Sequence, residues 1–129
     1  MSDNNQAKII VVGGTKGGTG KSTTAYHLLC MIVKLGKKAM LIDCDPNATC
    51  INNNQRRYFY HQQAKEDNDV ASMEKFSNLS VVGCSEDEDP RSMIEAHYRN
   101  YDYIIVDTGG FESLAYKAAI LAADHIIVP

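Results

Sequence analysis

The sequence predicts an α/β fold, a parallel sheet with helices on both faces. Three observations carry this. Short β-branched runs alternate along the chain with segments of helical period, the pattern of strand–helix–strand units joined by right-handed crossovers. The runs are continuously apolar, as strands covered on both faces are. The first run ends in glycines and leads into a helix that opens with Lys21-Ser22-Thr23, a strand–loop–helix order suited to binding phosphate.

Each element has its own signal. Lys8 to Val12 is a β-branched run bounded by Gly13-Gly14 and reads as a buried strand. From Lys21 to Leu35 the period changes: Ala25, Leu28, Leu29, Ile32 and Leu35 recur at helical spacing, and Gly36 stops the helix. Ala39 to Asp43 is a second strand. Cys44 to Gln55, rich in Asn and broken by Pro46, reads as a loop. Arg56 to Phe76 is polar and fits one helix or two short pieces. Leu79 to Gly83 is a third strand. After the acidic turn Glu86–Asp89, Pro90 stands where a helix begins, and that helix is expected to reach Asn100. Tyr103 to Asp107 is a fourth strand, Thr108 to Glu112 a glycine loop, Ser113 to Ala123 a helix, and His125 to Val128 a fifth, buried strand. The chain stops directly after that strand with no covering helix, so the fold is expected to be C-terminally incomplete, the front part of a longer protein.

Length and composition narrow the classes. A chain of 129 residues suits one domain, 1–129, and at this size roughly two-thirds of the unfolded surface is buried on folding. With 44% apolar and 22% charged residues, disorder and collagen-like repeats are excluded. A net charge of −3 argues against a mainly electrostatic nucleic-acid binder, though it leaves room for a local basic patch. No apolar run approaches the roughly twenty residues that span a bilayer, and the polar start carries no secretory stretch. The expected address is the cytoplasm, with no membrane partner. Cys30, Cys44, Cys50 and Cys84 lack metal-ligand spacing and are expected to be free thiols.

The strongest chemical signal is the run Gly13-Gly14-Thr15-Lys16-Gly17-Gly18-Thr19-Gly20-Lys21-Ser22-Thr23. The strict phosphate-loop pattern GxxxxGK[ST] fails at one residue, Thr15, and the run fits a deviant form, xKGGxGK[ST], with an additional lysine at Lys16. Gly17, Gly18 and Gly20, with Thr19 between them, allow a loop whose backbone N–H groups point at phosphate oxygens, and the following helix presents its N-terminus to the same anion. Lys21 supplies a point charge for the β- and γ-phosphates, Ser22 a hydroxyl for Mg²⁺, and Thr23 a contact for the α-phosphate. The competing reading is a glycine-rich turn without a ligand, and the register of Gly17, Gly18, Gly20, Lys21 and Ser22 argues against it.

Two strands end in aspartate. Ile104-Ile105-Val106-Asp107 matches a Walker B element, whose carboxylate holds Mg²⁺ directly or through water. Thr108 follows it, so a water-activating Glu is absent at that place. Thr108-Gly109-Gly110 offers a loop that senses the γ-phosphate, with a plain turn as the alternative. Leu41-Ile42-Asp43-Cys44-Asp45-Pro46-Asn47 ends the second strand. Asp45 lies further out, toward the strand edges where such sheets bind ligands, and is assigned to orient the attacking water and help the Mg²⁺ shell. Asp43 is assigned a structural role.

Together these elements resemble the ParA family of partition ATPases, in the ParA/MinD group with deviant Walker A motifs on a P-loop NTPase fold. The matching pieces are Lys16 to Thr24, Asp43-Cys44-Asp45-Pro46-Asn47, Tyr101 to Thr108, and Ala122 to Pro129. The resemblance implies an ATP-dependent homodimer that sandwiches ATP and Mg²⁺, with Lys16 reaching the partner's phosphates. It implies non-specific DNA binding in the ATP-bound form, hence association with the nucleoid, and slow hydrolysis stimulated by a centromere-binding, ParB-like adaptor. The catalytic set it implies is Lys16, Lys21 and Asp45, and the metal set Ser22, Asp45 and Asp107. Two departures stand out: Asn47 where the family usually has Gln, and Thr-Gly-Gly where a proline-containing loop usually follows the Walker B Asp. A MinD-like positioning ATPase of the same group and a truncated nucleotide-binding fragment without turnover are the alternatives. Arg56-Arg57-Tyr58-Phe59-Tyr60 reads as a helix start with a buried aromatic face rather than a nucleic-acid contact, the four histidines show no ligand spacing, and Tyr98, Tyr101 and Tyr103 are expected to pack against the sheet.

Overall fold

The computed structural model describes residues 6–14, 20–56, 78–110 and 113–129. Its strands are β1 Lys8–Gly14, β2 Ala39–Asp43, β3 Leu79–Gly83, β4 Tyr103–Gly110 and β5 His125–Ile127. They pair in parallel in the order β3-β2-β4-β1-β5. The helices are α1 Lys21–Lys34, α2 over 49–56 as far as the described residues run, α3 Arg91–His97 and α4 Leu114–Ala119.

The strand period of two sorts the apolar residues onto two faces. Ile9, Val11, Met40, Ile42, Ile104 and Val106 point to one side and pack with Ile94 of α3 and Ala115 and Ala119 of α4. Ile10, Val12, Ala39, Leu41 and Ile105 point to the other, against Ala25, Tyr26, Leu29, Ile32 and Val33 of α1 and Cys50 of α2. Helices therefore cover both faces, as the continuous apolar runs require. Tyr98 and Tyr101 pack on the first face and Tyr103 on the second.

Local chemistry sets the boundaries. Gly36, at φ +86°, ends α1 in a left-handed turn: its N–H reaches the Val33 carbonyl at 3.0 Å and the next N–H, of Lys37, reaches that of Ile32 at 3.3 Å, a paired closure that suits glycine. Ser113 caps α4, its Oγ accepting the Tyr116 N–H at 3.0 Å. Asp124 ties β5 to β1, its carboxylate accepting the Ile9 N–H at 2.7 Å while its own N–H donates to the Ile9 carbonyl at 2.8 Å.

Four expectations change. The stretch 44–55 is not all loop, since α2 begins at residue 49. The glycine loop after Asp107 is strand through Gly110, because buried Thr108 donates its hydroxyl to the Val12 carbonyl at 3.2 Å and Gly110 pairs with Gly14. The two later helices are shorter than expected, Arg91–His97 and Leu114–Ala119, their ends continuing as turns. β5 is not buried: His125 and Ile126 are exposed, and among the described residues it pairs on one side only, with β1. Of the Arg56–Phe76 stretch, Arg56 lies in α2 and the remainder lies outside the described residues. No helix among the described residues is long and apolar enough to cross a membrane.

Gly13 marks the closest approach in the sheet. A Cβ there would stand 2.5 Å from Thr108 Oγ1 and 2.6 Å from the Tyr116 ring. Gly13→Ala is expected to destabilise the chain by about 1–3 kcal/mol, the usual cost of forcing a methyl into a packed interior. Urea unfolding reads this as a lower midpoint at unchanged slope; an unchanged midpoint contradicts the packing described.

Candidate functional site

The chain places β1, leaves a gap, lays down β2 and β3, then returns to fill the gap with β4. Ligands in such sheets bind beyond the carboxyl ends of the strands, where the order reverses. Gly20 stands at that edge with φ +81°, and its carbonyl accepts the Thr24 N–H at 2.8 Å, opening α1. Lys21 is thus the first residue of the helix, and its side chain turns inward rather than to solvent.

The Lys21 ammonium, 5% exposed, lies 2.9 Å from Asp45 Oδ2 and 2.9 Å from Asp107 Oδ1. Ser22 Oγ donates to the same Asp45 oxygen at 3.0 Å. Asp43 and Asp107 are register partners on β2 and β4. The Asp43 carboxylate does not reach Lys21. It accepts the N–H groups of Asp45 and Ile51, each at 3.0 Å, and so holds both the outer aspartate and the start of α2. The structural role assigned to Asp43 is the one its bonds describe.

Burial decides the electrostatics. Desolvation works against the Lys21 ammonium, but the hydrogen bonds and charges of Asp45 and Asp107 outweigh it and hold its pKa above the ordinary lysine value. Desolvation also opposes the Asp45 carboxylate, yet the Asn47 N–H, the Lys21 ammonium and the Ser22 hydroxyl prevail and keep its pKa below the usual range. Asp43 goes the other way. Burial, with the charges of Asp107 and Asp45, holds its carboxyl above the usual range despite the N–H groups of Ile51 and Asp45.

Two carboxylates thus hold one ammonium, and a third, Asp43, backs them from the neighbouring register position. When all are ionised the cluster is short of positive charge, and its donors are carboxylate and hydroxyl oxygens, the set that suits Mg²⁺. Among the described residues no side chain caps the first turn of α1, which has no acidic residue, and a helix start of this kind suits an anion at the same edge. Residues present here fit a nucleotide phosphate with a divalent cation.

The structure brings Lys21, Ser22, Asp45 and Asp107 together. Thr23 is exposed in the same first turn. Lys16, Gly17, Gly18 and Thr19 lie outside the described residues. Cys50, and the bond that Thr108 makes to β1, escaped sequence reasoning. Cys50, fully buried, points its thiol at Asp107 Oδ2 at 3.3 Å and at the Ser22 carbonyl at 3.4 Å; burial and the charges of Asp107 and Asp43 push that thiol far up. Thr108 locks the Walker B strand to β1. Neither has a sequence signal beyond its place next to a motif. His27 and His125 are exposed and His97 meets the Tyr101 ring edge-on, 6.3 Å between centroids, all away from the cluster.

The family model of the ATPase MipZ matches residues 8–129. The sporulation initiation inhibitor protein Soj of Bacillus subtilis (strain 168) is 30% identical over 145 residues, covering 95% of this chain and 57% of Soj. The septum site-determining protein MinD of Synechocystis is 27% identical, covering 94% of this chain and 52% of MinD. A candidate plasmid partition protein of Borrelia burgdorferi B31, solved bound to AMPPNP, superposes with a TM-score of 0.72 at 27% identity, covering 96% of this chain and 62% of that one. The chain spans about half the length of the curated relatives it matches.

Removing Lys21 tests the cluster directly. Lys21→Met leaves buried carboxylates without their ammonium and is expected to destabilise the ligand-free chain by about 3–5 kcal/mol. Adding Asp107→Asn is expected to restore part of the loss. The sign with pH follows. Without the ammonium the Asp45 carboxyl loses part of what holds its pKa down, so the variant gives up less stability than the parent as pH falls through the carboxylate range, and the deficit shrinks. Chemical denaturation at several pH values measures both effects. A deficit independent of pH, or no recovery in the double variant, contradicts the pairing.

Proposed function

The chain belongs to the family of the ATPase MipZ, within the ParA/MinD group, and from that premise we propose that it is the nucleotide-binding portion of a ParA-like ATPase that works in DNA partition. Residues 1–129 form one nucleotide-binding domain in this reading. The observation that carries it is Lys21 held between Asp45 and Asp107 at the uncapped N-terminus of α1. The Borrelia plasmid partition protein, bound to AMPPNP, supports both nucleotide binding and the partition role.

The residues divide the work. Gly17, Gly18, Thr19 and Gly20 wrap the phosphates with backbone N–H groups, and Thr23 contacts the α-phosphate. Lys21 exchanges carboxylate partners for the β- and γ-phosphates, which an ammonium on a flexible stem can do without moving the helix. Asp45, Asp107 and the Ser22 hydroxyl would then hold Mg²⁺. Bound there, Mg²⁺ neutralises charge on the phosphate oxygens. Asp45, fixed through its N–H by Asp43, orients the attacking water. Thr108 stands where a water-activating glutamate would otherwise follow Asp107, which fits slow hydrolysis. Thr108-Gly109-Gly110 senses the γ-phosphate from the end of β4. Lys16 completes the partner's site in an ATP-dependent homodimer. That dimer binds non-specific DNA and associates with the nucleoid in the cytoplasm, and a ParB-like adaptor stimulates its turnover.

The similarity to MinD favours a second reading, a positioning ATPase of the same group with another cargo. A truncated nucleotide-binding fragment without turnover is the third reading, and the share of the curated relatives that the chain spans, about half, favours it.

ATP binding and turnover at saturating Mg²⁺, with and without non-specific DNA, test the proposal. Slow turnover that rises with DNA is expected. In Lys16→Gln turnover is lost and ATP binding kept, whereas Lys21→Ala weakens binding by at least about thirtyfold, the lower end for losing a buried charged contact. Binding without turnover would favour the fragment reading over the ATPase, and no ATP binding at all would refute the proposal.

A further inference from the structure

Cys44 and Cys84 take no part in the nucleotide chemistry, yet the sheet brings them side by side. The β2–β3 ladder pairs Asp43 with Gly83 and continues one step further, the Cys84 N–H donating to the Asp43 carbonyl at 2.9 Å. Cys44 and Cys84 are the next residue on each strand. Side chains at matching register on adjacent parallel strands share a face, and both thiols pack in the cluster that contains Ile42, Val82 and Met93. Neighbouring strands run about 4.7–4.9 Å apart, inside the Cα separation of about 4.4–6.8 Å that a disulfide needs. The two differ in access: Cys44 is 1% exposed and Cys84 is half-buried at the surface.

We propose that Cys44 and Cys84 form a redox site, a dithiol that closes to an intramolecular disulfide by exchange with a low-molecular-weight disulfide. Cys84, the accessible thiol, attacks as its thiolate. Its Sγ bonds to one sulfur of the small disulfide, whose S–S bond breaks and releases one small thiol. Cys44 then attacks Cys84 Sγ, the bond between Cys84 and the small group breaks, and a second small thiol leaves. Two protein thiols are oxidised by two electrons, the small disulfide is reduced to two thiols, and the two protein S–H protons end on them.

The site is built into the site-bearing strand. Cys44 separates Asp43 from Asp45, and its N–H donates to the Asp107 carbonyl at 2.7 Å. In the oxidised form the strand end that carries both aspartates is tied covalently to β3. Burial, with the charges of Glu88 and Asp89 adding to it, pushes the Cys84 thiol up. Exchange is therefore slow, on the order of minutes to hours, which suits a response to a standing thiol–disulfide balance better than a fast peroxide sensor.

The test uses the folded chain in a Cys30→Ser background, which removes the other half-buried thiol. It is brought to equilibrium with glutathione disulfide and read by intact mass and peptide mapping. The expected product has lost two hydrogen atoms, yields a crosslinked Cys44–Cys84 peptide, and returns to the dithiol with dithiothreitol. Cys44→Ser is expected to stop at the glutathione adduct on Cys84, and Cys84→Ser to remain reduced. A stable glutathione adduct on the parent, or both thiols free at equilibrium, overturns the proposal. The readout is independent of nucleotide binding.

Discussion

One buried ammonium organises this molecule's working edge. Lys21 enters the interior at the first turn of α1 and is stable there only because Asp45 and Asp107 meet it. Those two aspartates come from different strands, so the contact requires β2 and β4 to be neighbours with their ends aligned. It also requires α1 to begin at Lys21 and not a residue later. The left-handed turn at Gly20 fixes that start. Helix start, strand order and strand register are thus read out by a single side chain.

A second layer holds the first. Asp43 spends its carboxylate on the N–H groups of Asp45 and Ile51, where it complements the N-terminal end of α2. Cys50 of the same helix fills the space beneath Asp107. α2 therefore couples the outer aspartate to the core. Ala48, at φ +51° just before the helix, marks how tightly the chain turns there. Such backbone conformations persist where the surroundings over-determine them, often at functional sites.

Much of this was legible in the sequence, for definable reasons. The strands read clearly because all but the edge strand β5 and half-buried β3 lie between helices, and complete burial writes itself as a continuous apolar run. That Lys21, Ser22, Asp45 and Asp107 meet was legible because each stands at a strand end or at the helix start beside it; their work on a nucleotide is the proposal. α2 did not read, because its stability is tertiary. The segment is polar, has no apolar period, and is held by Asp43 from outside and by Cys50 alone in the core. The extension of β4 through Thr108-Gly109-Gly110 was hidden by its glycines, which signal a loop in isolation; the hydroxyl bond from Thr108 to Val12 and the pairing with β1 override them. β5 was expected inside because Ile126-Ile127-Val128 looks like core, whereas burial depends on what covers the outer face.

In the proposed nucleotide site, the aspartates that hold Lys21 become a cation site when phosphate takes over the ammonium. Calorimetric titration with AMPPNP, with and without Mg²⁺, tests this most directly. The account predicts that Mg²⁺ tightens AMPPNP binding by about tenfold or more, ~1.4 kcal/mol, and that Asp107→Asn removes most of that gain. Equal affinity with and without Mg²⁺, or an undiminished gain in Asp107→Asn, would contradict it.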